Sequence, residues 1–406
     1  MRVSYGKVFI MSPALSEEVV LFPESLLTAA AHPDPYPYYA ALLAYRPFYR
    51  EHRLGLWIAL GARDVTEVLS SEYVRVRSPA EPVPAAIAGA PAGEIFKDLV
   101  RMNDGPRHAQ AKAAIEAYLS ACDAAQVADL ARRDATVLAR TLPIQQRQGL
   151  DLFSASLPVR VVAQMIGLPE DTAGQCAALT GDFVRCLSPL SGPHEIAHSN
   201  TAAESLLQVL HDAWQRNNGL ASHAERLREL GLGEREAVLA NLVGFMSQTC
   251  EATAGLIGNT LLALAHRPQL RRRIADEDAL LQPVIEEVAR HDPSVHNTRR
   301  FVAEDCVIAG EALKRGDQIL VVLAAANRDP AHCERPHVFD PDRADRRSFT
   351  FGAGRHACAG QAIATAIAAA GIRALTAQGL DIAALAGPIE YRKYINSRIP
   401  LFGGIA

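Results

Sequence analysis

A run of helix-forming, mostly apolar residues from Ala237 to Leu264 constrains this chain more than any other stretch. A helix that is apolar all round must be buried, in lipid or in the core of a large protein. Its centre decides between them. Ser247, Gln248, Thr249, Glu251 and Thr253 stand together in the middle, where an ionisable group in lipid would be costly. The expectation is a long core helix with a polar cluster at its midpoint.

The rest of the chain supplies a body for that helix. With 406 residues, 49% of them hydrophobic, a substantial core can be buried. No Gly/Ser or charged spacer, repeat or low-complexity tract divides it, so a single domain over 1–406 is expected. From Glu94 to Glu287 helix patterns alternate with breaks at Leu168–Asp171 and Ser188–Pro193. Leu56–Leu60, Tyr73–Val76, Arg300–Ile308 and Gln318–Leu323 read as strands, with Asp64–Leu69 as a helix between the first two. Asp34–Pro37 reads as a turn and Ala80–Pro91 as an irregular loop. The fold class expected is mainly α with small β-sheets.

Composition excludes several functions. Basic and acidic side chains number 41 and 45, a net charge of -4, which argues against bulk nucleic-acid binding. Seven scattered cysteines without a Cys-x-x-Cys pair argue against a disulfide framework or a structural zinc site. Met1–Ser12 has only a short apolar run and no signal-peptide pattern, so a soluble cytoplasmic protein without a membrane anchor is expected.

The chemistry concentrates in Phe351-Gly-Ala-Gly-Arg-His-Ala-Cys358-Ala-Gly360. Gly352, Gly354 and Gly360 permit turns and close approaches, and Gln361–Ala370 is alanine-rich with no proline, as a helix start should be. Cys358 therefore meets a helix N-terminus, whose unpaired N–H groups favour a thiolate that can ligate a metal. Taken alone, such a cysteine is better read as a small buried hydrophobe.

Its surroundings choose. The order Phe-x-x-Gly-x-x-x-Cys-x-Gly resembles the haem-binding loop of the cytochrome P450 family. The resemblance runs from Asp34-Pro35 to about Gly360. It implies that fold, with haem b (heme) between the long central helix and the cysteine loop, iron ligated by Cys358, Phe351 near the sulfur and His356 on a propionate. Asp104-Gly-Pro-Arg-His108 resembles the helix opening that gives propionate contacts. Lys112 stands where the family usually has arginine, which keeps the charge and loses the bidentate fork. Arg300-Phe-Val-Ala-Glu-Asp305 resembles the strand whose arginine meets the other propionate. Ala325–Pro330 and Phe339–Arg343 follow in the family's order. Glu287-Val-Ala-Arg290 is its Glu-x-x-Arg, one helix face at i, i+3, implying with Arg343 a structural Glu–Arg–Arg network.

By the same resemblance, the middle of the central helix should hold the family's Ala-Gly-x-acid-Thr-Thr. Here it reads Gln248-Thr249-Cys250-Glu251-Ala252-Thr253, in register with Leu256-Ile257-Gly258-Asn259. The acid survives as Glu251, but alanine replaces the alcohol beside it and has no hydroxyl to donate. Thr253 points about 100° away on the helix. Proton delivery is then expected from Glu251 with help from the substrate, or from a water held by Gln248 or Thr249, unless the reaction diverts to oxidative C–C or C–N coupling or cyclisation.

The implied activity is a monooxygenase using O2 on a small specialised metabolite, amino-acid-derived or otherwise, with electrons from a ferredoxin and ferredoxin reductase. A non-catalytic haem or ligand-binding protein is the alternative from another class, and an unused buried acid argues against it. The resemblance also implies pocket walls near Pro82–Ile87, Phe183–Leu190, Ser294–Thr298 and Tyr394–Ser397, where His296, Asn297 and Asn396 are expected to face a polar ligand. Arg101, Arg107, Lys112, Arg346, Arg347 and Arg355 are expected to form a basic patch around the cysteine face.

Overall fold

The computed structural model describes residues 22–188, 190–216 and 219–404, so the stretch Met1–Ser12 lies outside it. The expected core helix runs Arg235–Ala265, about 46 Å at 1.5 Å per residue. Every residue from Thr253 to Ala265 is buried, as an all-apolar helix demands. Helices Pro91–Asp98, Arg147–Met165, Leu281–His291 and Gln361–Ala377 pack around it. Among the described residues, no helix is long and apolar enough to cross a membrane.

Two glycines set how closely the end of the chain approaches this helix. A Cβ on Gly255 would lie 2.6 Å from Ser294 Cβ, and one on Gly258 would lie 2.5 Å from Pro400 Cγ. Only a residue without a side chain fits at either place. The hairpin of Glu390–Tyr391 and Pro400–Leu401 is thereby seated on the helix, and its tip reaches the polar midpoint.

The expected strands form one sheet with an unexpected edge strand, Phe48–Glu51, in the order Phe48–Glu51, Leu56–Ala59, Gln318–Val321, Thr298–Val302, Val74–Arg75. Leu56–Ala59 pairs parallel to Gln318–Val321, Leu56 opposite Gln318, which closes the two ends of the chain around the helical body. Arg300–Ile308 is not one strand. It divides into Thr298–Val302 in this sheet and Cys306–Ile308 in a separate pair with Glu311–Leu313. The Asp34–Pro37 turn is the opening of a helix, Tyr36–Tyr45. Pro37 sits in its first turn, where a missing N–H costs nothing.

Where these parts meet, a buried polar network holds them. Arg398 donates to Asp292 at 2.8 Å and to the carbonyls of Ala30, His32 and Pro33 at 3.2, 2.6 and 2.7 Å. Tyr36 also donates to Asp292. His296 is fully buried beside them, with Nδ1 3.0 Å from the Tyr39 hydroxyl and no partner for Nε2.

Burial, reinforced by the Arg398 charge, lowers the pKa of His296 to about 3. The sign follows: the unfolded chain takes a proton near the ordinary value of about 6.5, and the folded chain does not. Stability is complete above that pH and falls as the solution is acidified towards the folded value. Between pH 6.5 and 5 this one group should cost about 2 kcal/mol. Urea unfolding midpoints measured across that interval should fall less steeply in His296→Gln than in the wild type, and equal slopes would refute the assignment.

Candidate active site

The cysteine loop is a chain of tight backbone bonds. Gly352 donates to the Phe349 carbonyl at 2.8 Å, Ala357 to Gly354 at 3.0 Å and Cys358 to Phe351 at 2.8 Å. Gly352 and Gly354 take φ of 72° and 64°, the left-handed region that side chains resist. Gly360 does not need that freedom, at φ -98°. It caps the helix Gln361–Ala377 and gives its N–H to the Cys358 sulfur.

Cys358 is exposed by its surface area, yet the surrounding protein desolvates its thiol. Burial raises its thiol pKa, against the opposing pull of the Gly360 N–H and the Lys112 charge. The helix start alone therefore does not produce the expected thiolate. Desolvation outweighs one N–H and one ammonium, so a metal cation is the partner that would hold the charged sulfur.

Beside the loop, basic groups converge around Asp104, and Lys112 also pairs with Glu116 at 3.5 Å. His108 and His356 stack with ring centroids 4.1 Å apart, and His356 Nε2 lies 3.1 Å from Asp104 Oδ1. Lys112 donates to the Ala357 carbonyl. Arg300 is buried and bonds Thr298 Oγ1 at 3.2 Å and the Arg299 carbonyl at 2.8 Å. Burial, then the charges of His356, Lys112 and Arg355, lowers His108 to about 4, with only Asp104 opposing. Burial lowers Arg300 to about 10. The cluster holds more basic groups than the two acids Asp104 and Glu116, and a group presenting two carboxylates beside a metal would balance them. The residues present therefore fit a thiolate-ligated haem, with Cys358 for the iron and His108, Lys112, Arg300 and His356 for the propionates.

Beneath the loop, Arg290 and Glu287 are both fully buried and joined by two bonds of 2.7 and 2.9 Å. Arg290 also donates to the carbonyls of Asn327, Pro336 and Val338 at 3.1, 2.9 and 3.1 Å. Arg343 Nε lies 3.4 Å from Glu287 Oε2. Asn327 accepts from the Phe349 N–H at 2.6 Å, so this network fixes the start of the cysteine loop. Phe351 packs at the edge of the main core.

On the central helix, Gln248 ties its amide to the Gly244 carbonyl at 2.9 Å, and Thr249 and Thr253 pair their hydroxyls at 3.2 Å. Ala252 is half-buried. Glu251 is hydrogen-bonded by Tyr394 from the C-terminal hairpin, and Arg392 and Arg101 are its charged neighbours. Burial raises its pKa above the ordinary carboxyl range despite all three.

Several expected site residues have other duties. His296 faces Tyr39 and the buried network, and its N–H holds the Asn396 carbonyl at 2.8 Å. Asn297 bonds the Ile395 carbonyl at 2.7 Å. They position the hairpin tip, while Asn396 is exposed. The basic patch also loses members to local pairs. Arg107 is paired with Asp98, Arg346 with Glu286 at 3.6 Å and Arg347 with Asp345 at 2.6 Å. Arg355 donates to the Ser71 carbonyl. Arg101 leaves the patch altogether, since its charged neighbour is Glu251. The duties of Tyr394, Arg392 and Arg101 have no local signature, because each depends on a contact between segments far apart in sequence.

The chain is similar to known proteins. A family model described as Cytochrome P450 matches residues 231–372. A Xylella fastidiosa (strain 9a5c) chain described as a cytochrome P450 133B2 is 31% identical over 54% of this chain and 58% of its own length. This chain thus spans less than two thirds of that relative. The biotin biosynthesis cytochrome P450 of Bacillus subtilis (strain 168) is 22% identical over 82% of this chain and 85% of its own. The crystal structure of CalO2 superposes with a TM-score of 0.74 at 26% identity, covering 91% of this chain and 97% of that one.

Proposed function

Because the chain belongs to the cytochrome P450 family, we propose that it is a haem-thiolate monooxygenase that oxidises a small specialised metabolite with O2. The observation that carries this reading is Cys358 at the head of its helix beside a cradle in which basic groups outnumber acids. When bound, haem supplies the activation of dioxygen. Cys358 would hold the iron, Phe351 would shield the sulfur, and His108, Lys112, Arg300 and His356 would hold the propionates. Electrons would come from a ferredoxin and its reductase.

Proton supply is the task of the opposite wall. Glu251, with its raised pKa, keeps a proton closer to neutral pH than an ordinary glutamate does. Its carboxyl is steadied by Tyr394. The Thr249–Thr253 hydroxyl pair and Gln248 offer polar atoms for a water where Ala252 has none.

The test is turnover under isotopically labelled O2 with a surrogate ferredoxin, its reductase and NADPH, over a metabolite library. One labelled oxygen atom should enter a product, and NADPH consumption without any product from the library would count against the enzyme reading. Restoring an alcohol with Ala252→Thr should raise the fraction of NADPH recovered as product. If neither rate nor coupling changes, the position is irrelevant to proton supply.

A further inference from the structure

The central helix is closed along most of its length and open on one stripe. From Val238 to Ala265 every residue is buried except Phe245, Gln248, Thr249, Glu251 and Ala252. Phe245, Gln248, Thr249 and Ala252 fall at i, i+3, i+4 and i+7, which is one face of a helix. The neighbouring helices pack against the rest of it, so the open stripe lines a recess in the helical body.

The polar side chains of the stripe are arranged differently from one another. Gln248 turns its amide nitrogen back onto the Gly244 carbonyl at 2.9 Å. Thr249 meets Thr253, hydroxyl to hydroxyl, at 3.2 Å. Elsewhere in the chain, Thr66, Thr136, Thr260 and Thr376 sit in helices and donate to the carbonyl four residues back, at 2.7, 2.7, 2.7 and 2.9 Å. That bond is the usual outlet for a helical threonine. Among the described residues, neither Thr249 nor Thr253 makes it, and they hold each other instead.

Burial sets the direction of the pair. Thr253 is 1% exposed, and Thr249 is its one hydrogen-bond partner. A hydroxyl has one proton to give and two lone pairs to offer, and a buried donor left unused is costly. Thr253 therefore gives its proton to Thr249 Oγ1. The half-buried Thr249 hydroxyl accepts it and keeps its own proton for the open side. It stands one turn before Ala252 on the same face, beside the position where the alcohol is missing.

We propose that Thr249 supplies the hydroxyl that position 252 lacks, donating a hydrogen bond into the distal space, and that Thr253 is the positioning residue that aims it. This rests on the monooxygenase reading for what occupies the recess, and it names the donor on the distal side.

The experiment records the infrared C–O stretch of the reduced, CO-bound, haem-loaded protein in H2O and in D2O. A donor to the CO oxygen lowers that frequency, and replacing its proton by deuterium shifts the band. The wild type and Thr249→Ser should show a lowered, deuterium-sensitive band, and Thr249→Val should lose it. In Thr253→Val the Thr249 hydroxyl should turn to the Phe245 carbonyl, as the other helical threonines do, and the band should move towards the Thr249→Val position. A wild-type band insensitive to deuterium would overturn the proposal, as would a Thr249→Val band that matches the wild type in both solvents. A wild-type band in Thr253→Val would remove the positioning role. The Soret band of the same samples reports the haem-thiolate reading and the integrity of the pocket. If that band is of the thiolate type while the infrared band is unchanged in Thr249→Val, only the Thr249 assignment fails; if the wild type lacks it, the monooxygenase reading fails first.

Discussion

Cys358→Ala is expected to abolish the red-shifted Soret band of the reduced, CO-bound protein and, with it, all oxygenation. The reason lies in the division of labour on this face. On the proposed reading one sulfur would donate to the metal, while the hold on the rest of the haem would be spread over His108, Lys112, Arg300 and His356. Removing the sulfur would delete the electron-rich ligand that favours O–O cleavage but would leave the basic cradle in place. The variant should therefore keep part of its haem, with a CO spectrum shifted to shorter wavelength. Arg300→Leu combined with His108→Leu should do the reverse, lowering haem retention while the haem that remains keeps the thiolate-type band. A band unchanged in Cys358→Ala would place the iron ligand elsewhere.

Glu287→Ala should be the most destabilising substitution in the helical body. The carboxylate is fully buried and compensates Arg290, also fully buried, and Arg343. It accepts the Asp340 N–H at 2.8 Å as well. Truncation would leave two guanidinium groups and one N–H facing a void. Breaking a buried pair by removing one partner costs about 3–5 kcal/mol, a large share of the roughly 5–15 kcal/mol that holds a domain folded. Because Arg290 braces Asn327 and Asn327 braces Phe349, the loss should reach the cysteine loop as poorer haem incorporation. Urea unfolding of the haem-free protein checks the energy, and a shift below about 1 kcal/mol would mean that the network is not structural.

Much of this face was legible because it is local. The Cys358 loop, the Glu287–Arg290 spacing and the turn-forming glycines lie within short windows, where residue type and conformation are directly linked. The central helix was legible for a related reason, since a run without a polar face admits few fates. Boundaries were less clear. The Asp34–Pro37 turn opens a helix, and Arg300–Ile308 divides between two sheets, because strand alternation looks the same on both sides of a break.

The distal wall was the harder part, and its residues show why. Glu251 is an acid in a helix until Tyr394, Arg392 and Arg101 are brought to it from a hairpin tip and a pinned turn. His296 has the composition of a pocket residue and the position of a core one.

The sequence by itself determined the glycine-hinged cysteine loop and the long apolar helix, because both depend on neighbours along the chain. Only the tertiary structure decided which charges share the space between them. Electrostatics depends on distance and burial, and those are set when Gly255 and Gly258 let the end of the chain settle onto the central helix.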